Sequence, residues 1–69
     1  MPDLFLTLNG EARAVPVGTT IGALVAQFPL SPQAILVELN GEALPRSEWP
    51  ARAVAEGDRI EFIRVVAGG

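Results

Sequence analysis

At the start of the chain Leu4, Leu6 and Leu8 alternate with Asp3, Phe5 and Thr7, which is the period of a strand with one buried face. Asn9-Gly10 follows. Both residue types tolerate positive φ, so the pair predicts a tight hairpin turn into a second strand over 11–17. Pro16 cannot donate to a ladder, which puts that strand at a sheet edge. Gly18-Thr19-Thr20 breaks the strand and offers a helix N-cap. Ile21, Leu24, Val25 and Phe28 then recur at helical spacing, forming one apolar stripe that Pro29 ends at Phe28. A single stripe of this width suits a helix laid on a sheet.

Alternation resumes over 35–40, with Ile35, Val37 and Leu39 inward and Glu38 outward. The pentapeptide "LNGEA" at 39–43 repeats the one at 8–12, so the same strand-ending turn is expected through Asn40-Gly41. The segment "PRSEWPARAVAEGD" has the prolines and polar residues of an irregular connection, with a short helical turn at Ser47–Trp49. Trp49, the single tryptophan, is read as a cover for one end of the core. Glu56-Gly57-Asp58 is a turn, and "RIEFIRVV" is the last and most apolar strand, expected at the centre of the sheet with Ile60 and Phe62 inward. The alternation fails after Phe62. Ile63 and Val65 must use the opposite face, where they form a candidate docking patch that Phe5 joins through its outward parity.

The order hairpin, helix, strand, short strand, irregular crossing, strand describes an α+β domain. It is a ubiquitin-like β-grasp, a mixed sheet of four to five strands packed on one short helix. A domain of 69 residues has little room for an enclosed substrate pocket. Cysteine and histidine are both absent, which removes disulfides, thiolate nucleophiles, imidazole bases and the usual zinc ligands. The five arginines are scattered singly, there is no lysine, and the net charge is −3, a balance that argues against nucleic-acid and anionic-membrane partners. No apolar run approaches the length of a membrane span, and a cytoplasmic protein is expected.

The chain closes on Gly68-Gly69. Residues 1–66 are read as the folded domain and 67–69 as a flexible tail. The last four residues can reach up to ~13 Å. Glycines lack the Cβ that would block a narrow channel, so such a tail can thread into another protein and present its carboxylate there.

"NGEALPRSEW" and "EGDRIEFIRVVAGG" resemble the thiamin-biosynthesis sulfur carrier family, ThiS, across the second half of the chain, and the first half agrees in layout and length. The Gly-Gly end alone is shared with ubiquitin-like protein modifiers and with the small subunit of molybdopterin synthase. The resemblance implies a carrier with no catalytic group and no cofactor of its own. A ubiquitin-activating-like adenylyltransferase would use ATP and magnesium to adenylate the terminal glycine, here Gly69. Sulfur from a cysteine desulfurase persulfide or a similar donor would convert it to a thiocarboxylate. Thiazole synthase would then take the sulfur, with Gly68 kept slim for threading. A modifier would instead form isopeptide bonds with lysines of other proteins, and a purely structural β-grasp domain would do neither.

Overall fold

A computed structural model describes residues 3–65. The first hairpin joins β1 (Asp3–Leu8) to β2 (Glu11–Pro16) in antiparallel register, with Asp3 opposite Pro16 and Leu8 opposite Glu11. Asn9 and Gly10 take φ of 51° and 83°, the left-handed pair that a two-residue turn between twisted strands requires. Thr20 caps α1 (Ile21–Ala26), its Oγ1 accepting from the Ala23 N–H at 3.1 Å. The helix ends two residues short of Phe28. Its last turn closes with the tighter bonds Gln27 N–H to Leu24 O and Phe28 N–H to Val25 O, both 3.1 Å. Pro29 disfavours helical backbone at Phe28, and the ring turns away to meet Phe62 edge-on at 5.5 Å.

A 3₁₀ turn over Pro32–Ala34 leads into β3 (Ile35–Leu39), and β3 turns through Asn40 and Gly41 into β4 (Glu42–Leu44). The short turn expected at Ser47–Trp49 lies one residue earlier, over Arg46–Glu48, because Pro45 supplies the first carbonyl, accepting from the Glu48 N–H at 2.9 Å. β5 (Arg59–Arg64) completes a five-stranded sheet in the order β2-β1-β5-β3-β4. The last strand is therefore central, parallel to β1 and antiparallel to β3, and β2 with its proline is an edge. The expected tail, 67–69, lies outside the described residues.

One face of the sheet holds α1 and a single cluster built from Leu6, Leu8, Val15, Ile21, Leu24, Val25, Ile35, Val37, Leu39, Trp49, Val54 and Ile60. No polar or charged residue is buried among the described residues. With no disulfide available, burial of these side chains, worth about 1.5–3 kcal/mol for each large aliphatic one, supplies the stability. Trp49 closes one end of the cluster, its Nε1–H donating to Leu44 O at 3.1 Å.

The repeated turn does more than reverse the chain. Where β1 leaves the sheet, Asn9 Oδ1 accepts from the Phe62 N–H at 2.8 Å; where β3 leaves it, Asn40 Oδ1 accepts from the Arg59 N–H at 2.8 Å. Each asparagine side chain stands in for a missing ladder partner of β5. Asn9→Ala should cost about 1–3 kcal/mol, combining an orphaned Phe62 N–H with a positive φ that alanine resists. Urea unfolding measures it, and a loss below about 0.5 kcal/mol would mean that water satisfies Phe62 equally well.

Candidate functional site

The strand parity of β5 divides its side chains between two surfaces. Ile60 is fully buried on the helix side, and Phe62 lies half-buried on the same side against Phe28. The Arg13 guanidinium sits 4.8 Å from the centre of the Phe28 ring, so these three side chains close the core near the point where β5 ends. Arg59, Glu61 and Ile63 point to the opposite face, which no helix covers.

On that open face Ile63 stands directly opposite Leu36 of β3. Ile63 is 38% exposed and Leu36 54%. Val65, just past the strand, is 44% exposed, and its N–H donates to Ala34 O at 2.7 Å, so the backbone stays tied to the sheet as far as the last described residue. Ile63 and Val65 are thus placed together, as their parity implies. Leu36 is a member that the sequence reading did not name, although the inward positions of Ile35 and Val37 already send it outward.

Phe5 does not belong to this patch. It is 60% exposed on the same face, but the parallel register sets Thr7 beside Arg59, and the Gly57 N–H donates to Phe5 O at 2.8 Å. Phe5 is therefore six positions before Ile63 along the strand direction, about 20 Å away. Parity gave the correct face, and the register between strands distant in sequence gave the separation. Gly68 and Gly69 lie outside the described residues.

The neighbouring pair on the open face is Glu38 opposite Glu61. Around the edge of β3 a shallow apolar groove of about 230 Å³ runs past Leu36, Leu44 and Trp49 to Arg46. Arg46 already serves the fold, donating to Pro32 O at 3.1 Å and stacking over Trp49. Among the described residues no group of three or more His, Cys, Asp or Glu side chains could hold a metal ion, and no helix is long and apolar enough to cross a membrane.

A five-stranded mixed sheet on one helix, with the final strand at its centre and an uncovered apolar pair beside that strand's end, defines a ubiquitin-like domain. The chain belongs to the ThiS family, whose profile matches residues 6–69. It is 28% identical over 64 residues to the sulfur carrier protein ThiS of Escherichia coli (strain K12), covering 93% of this chain and 97% of that protein. It is also 33% identical over 64 residues to a thiazole synthase of Paramagnetospirillum magneticum. That match covers 93% of this chain but only 20% of the synthase, so the chain spans about a fifth of that relative's length. The crystal structure of the thiamine biosynthesis protein ThiS from Geobacter metallireducens superposes with a TM-score of 0.79 at 34% identity, covering 96% of this chain and 100% of that one.

Proposed function

We propose that the protein is a cytoplasmic sulfur carrier of thiamin biosynthesis, loaded at the carboxylate of Gly69. The observation that carries this reading is the family match running through residue 69. It is supported by the position of β5, whose end brings the chain out beside the exposed Leu36, Ile63 and Val65.

A carboxylate is a poor electrophile. In this reading a ubiquitin-activating-like adenylyltransferase transfers AMP from ATP, with magnesium, to the Gly69 carboxylate and releases pyrophosphate. The outer sulfur of a persulfide, from a cysteine desulfurase or a similar donor, displaces AMP to give an acyl disulfide, and a partner thiol then cleaves that S–S bond, forming a disulfide with the donor and leaving a thiocarboxylate on Gly69. Thiazole synthase takes that sulfur into the thiazole ring. The carrier contributes a slim tail at Gly68 and Gly69 and a surface to dock, while the chemistry belongs to its partners. Absence of cysteine and lysine leaves the activated terminus without a thiol or ε-amine of its own chain to trap it. The relatives named thiazole synthase support the choice of acceptor.

Incubation with the adenylyltransferase of the same organism, ATP, magnesium and a sulfur donor, followed by intact mass, tests the reading. Exchange of one oxygen for sulfur supports it; a protein conjugate points to a modifier, and an unchanged mass refutes both.

Docking beside the tail predicts a second result. Ile63→Glu should weaken binding to the adenylyltransferase or to thiazole synthase about tenfold, or about 1.4 kcal/mol, by calorimetry. The melting curve should barely move, because Ile63 faces solvent on the open face. Unchanged binding to both partners would remove Ile63 from the interface.

A further inference from the structure

The pentapeptide Leu-Asn-Gly-Glu-Ala occurs at 8–12 and again at 39–43, and its two copies hold the only asparagines of the chain. Both copies take the same backbone: φ is 51° at Asn9 and 54° at Asn40, then 83° and 87° at Gly10 and Gly41. An asparagine before glycine is open to attack by the next backbone nitrogen, because glycine brings no Cβ to stand in the way. Sequence and turn are alike, so any difference in reactivity comes from what the fold places around each amide. Those surroundings differ. Asn9 Oδ1 accepts from the Phe62 N–H at 2.8 Å, and among the described residues nothing holds its Nδ2. Asn40 is held at both ends, Oδ1 accepting from the Arg59 N–H at 2.8 Å and Nδ2 donating to Asp58 Oδ1 at 3.0 Å. Asp58 is fixed in turn, its other oxygen accepting from the Ala55 N–H at 2.8 Å. The Arg59 guanidinium also lies over the second turn, 3.3 Å from where a Cβ on Gly41 would stand, while nothing comes within 4 Å of that point at Gly10.

We propose that Asn9 is a site of spontaneous covalent modification in the folded protein, by deamidation through a succinimide, and that the fold protects Asn40 in the matching turn. The Gly10 backbone nitrogen, after giving its proton to a base in the solvent, attacks Asn9 Cγ. The Cγ–Nδ2 bond breaks, Nδ2 leaves as ammonia, and the ring closes. Water then opens one of the two ring carbonyls, giving either aspartate or an isoaspartate whose main chain runs through the side-chain carbons. Nothing is oxidised or reduced, and water is the only reagent consumed. To bring Cγ onto the glycine nitrogen, Asn9 gives up one side-chain hydrogen bond, to Phe62. Asn40 must give up two, one of them to a carboxylate, which is the stronger kind. Isoaspartate at position 9 lengthens the main chain of the turn by one carbon and draws the side-chain oxygen away from the Phe62 N–H. The modified protein thus loses the brace between the first turn and the central strand.

The test ages the full chain in warm, mildly alkaline buffer and follows it by peptide mass. With arginines at 13 and 46, none between them and no lysine, trypsin places Asn9 in peptide 1–13 and Asn40 in peptide 14–46. Each deamidation replaces an NH2 by an OH and makes its peptide heavier by one mass unit. In the folded protein peptide 1–13 should gain that unit about fivefold faster than peptide 14–46, or more, the factor that one additional hydrogen bond supplies. In denaturing guanidinium chloride the two rates should become equal, because the pentapeptides are identical. Asp58→Ala, which frees Asn40 Nδ2, should bring peptide 14–46 up toward the rate of peptide 1–13. Equal rates in the folded protein overturn the proposal, and so does a difference that persists unchanged in denaturant. An Asp58→Ala variant that melts cooperatively and still spares Asn40 overturns the protection assigned to Asp58. Should that variant not fold, the comparison of folded and denatured wild type decides alone.

Discussion

Deletion of Gly69 is expected to abolish sulfur loading and to leave the melting curve where it is. Among the described residues the buried core side chains run from Leu6 to Ile60, and a glycine carries no side chain to lose; β5 ends at Arg64. What changes is chemical position. The new terminal carboxylate belongs to Gly68 and sits one residue, about 3.5 Å, short of the reach available before. Adenylation requires the carboxylate oxygen in line with the α-phosphate of ATP, and a displacement of that size exceeds the tolerance of a reacting pair by several-fold. Intact mass after incubation with the adenylyltransferase, ATP and a sulfur donor is the readout. A truncated protein that still exchanged oxygen for sulfur would move the reactive group away from Gly69.

Ile60→Ala is expected to produce the largest loss of stability. Ile60 is completely buried at the centre of the sheet, with Leu8 beside it on β1 and Leu39 beside it on β3, both buried. Ladders on both sides hold the backbone, so the surroundings cannot collapse into the space left by the lost carbons. A cost of about 2–5 kcal/mol follows, against a total stability of roughly 3–10 kcal/mol for a domain of this length. The variant should unfold at much lower urea or be partly unfolded without it. Phe5→Ala is the control: the ring lies on the open face, so stability should change by no more than about 0.5 kcal/mol. If the two variants lost similar stability, Ile60 would not be the centre of the core.

What could be read along the chain was whatever repeats over a few residues. Alternation gave three of the strands and their inward faces, and helical spacing gave the stripe of α1. The Asn-Gly pairs gave both turns, because positive φ is a property of the residues themselves. What could not be read depends on partners distant in sequence. The irregular segment after β4 buries Val54 and forms an isolated bridge between Thr20 and Ala53, and neither has a period to announce it. The Val54 N–H donates to Thr19 O, and the Ile21 N–H to Arg52 O, so a stretch that reads as a loop ties down the start of the helix. The same limit applies to the exposed apolar patch. Parity placed Ile63, Val65 and Phe5 on one face, but only the offset between β1 and β5 separates Phe5 from the others. The register of β3 against β5 brings in Leu36 and juxtaposes the two glutamates.

The central position of β5 also governs when the molecule can fold during synthesis. Until residues 59–64 exist, β1 with β2 and β3 with β4 are two hairpins with no strand between them, and each alone is marginal in water. The core therefore closes only after nearly the whole described chain has been translated, and the contacts that close it span 50 residues or so, a topology that folds more slowly than a local one. A ribosome that stops before residue 59 releases an incomplete chain open to proteolysis instead of a folded decoy. Strand order thus ties folding to synthesis: a chain that has acquired its fold has already been translated through β5.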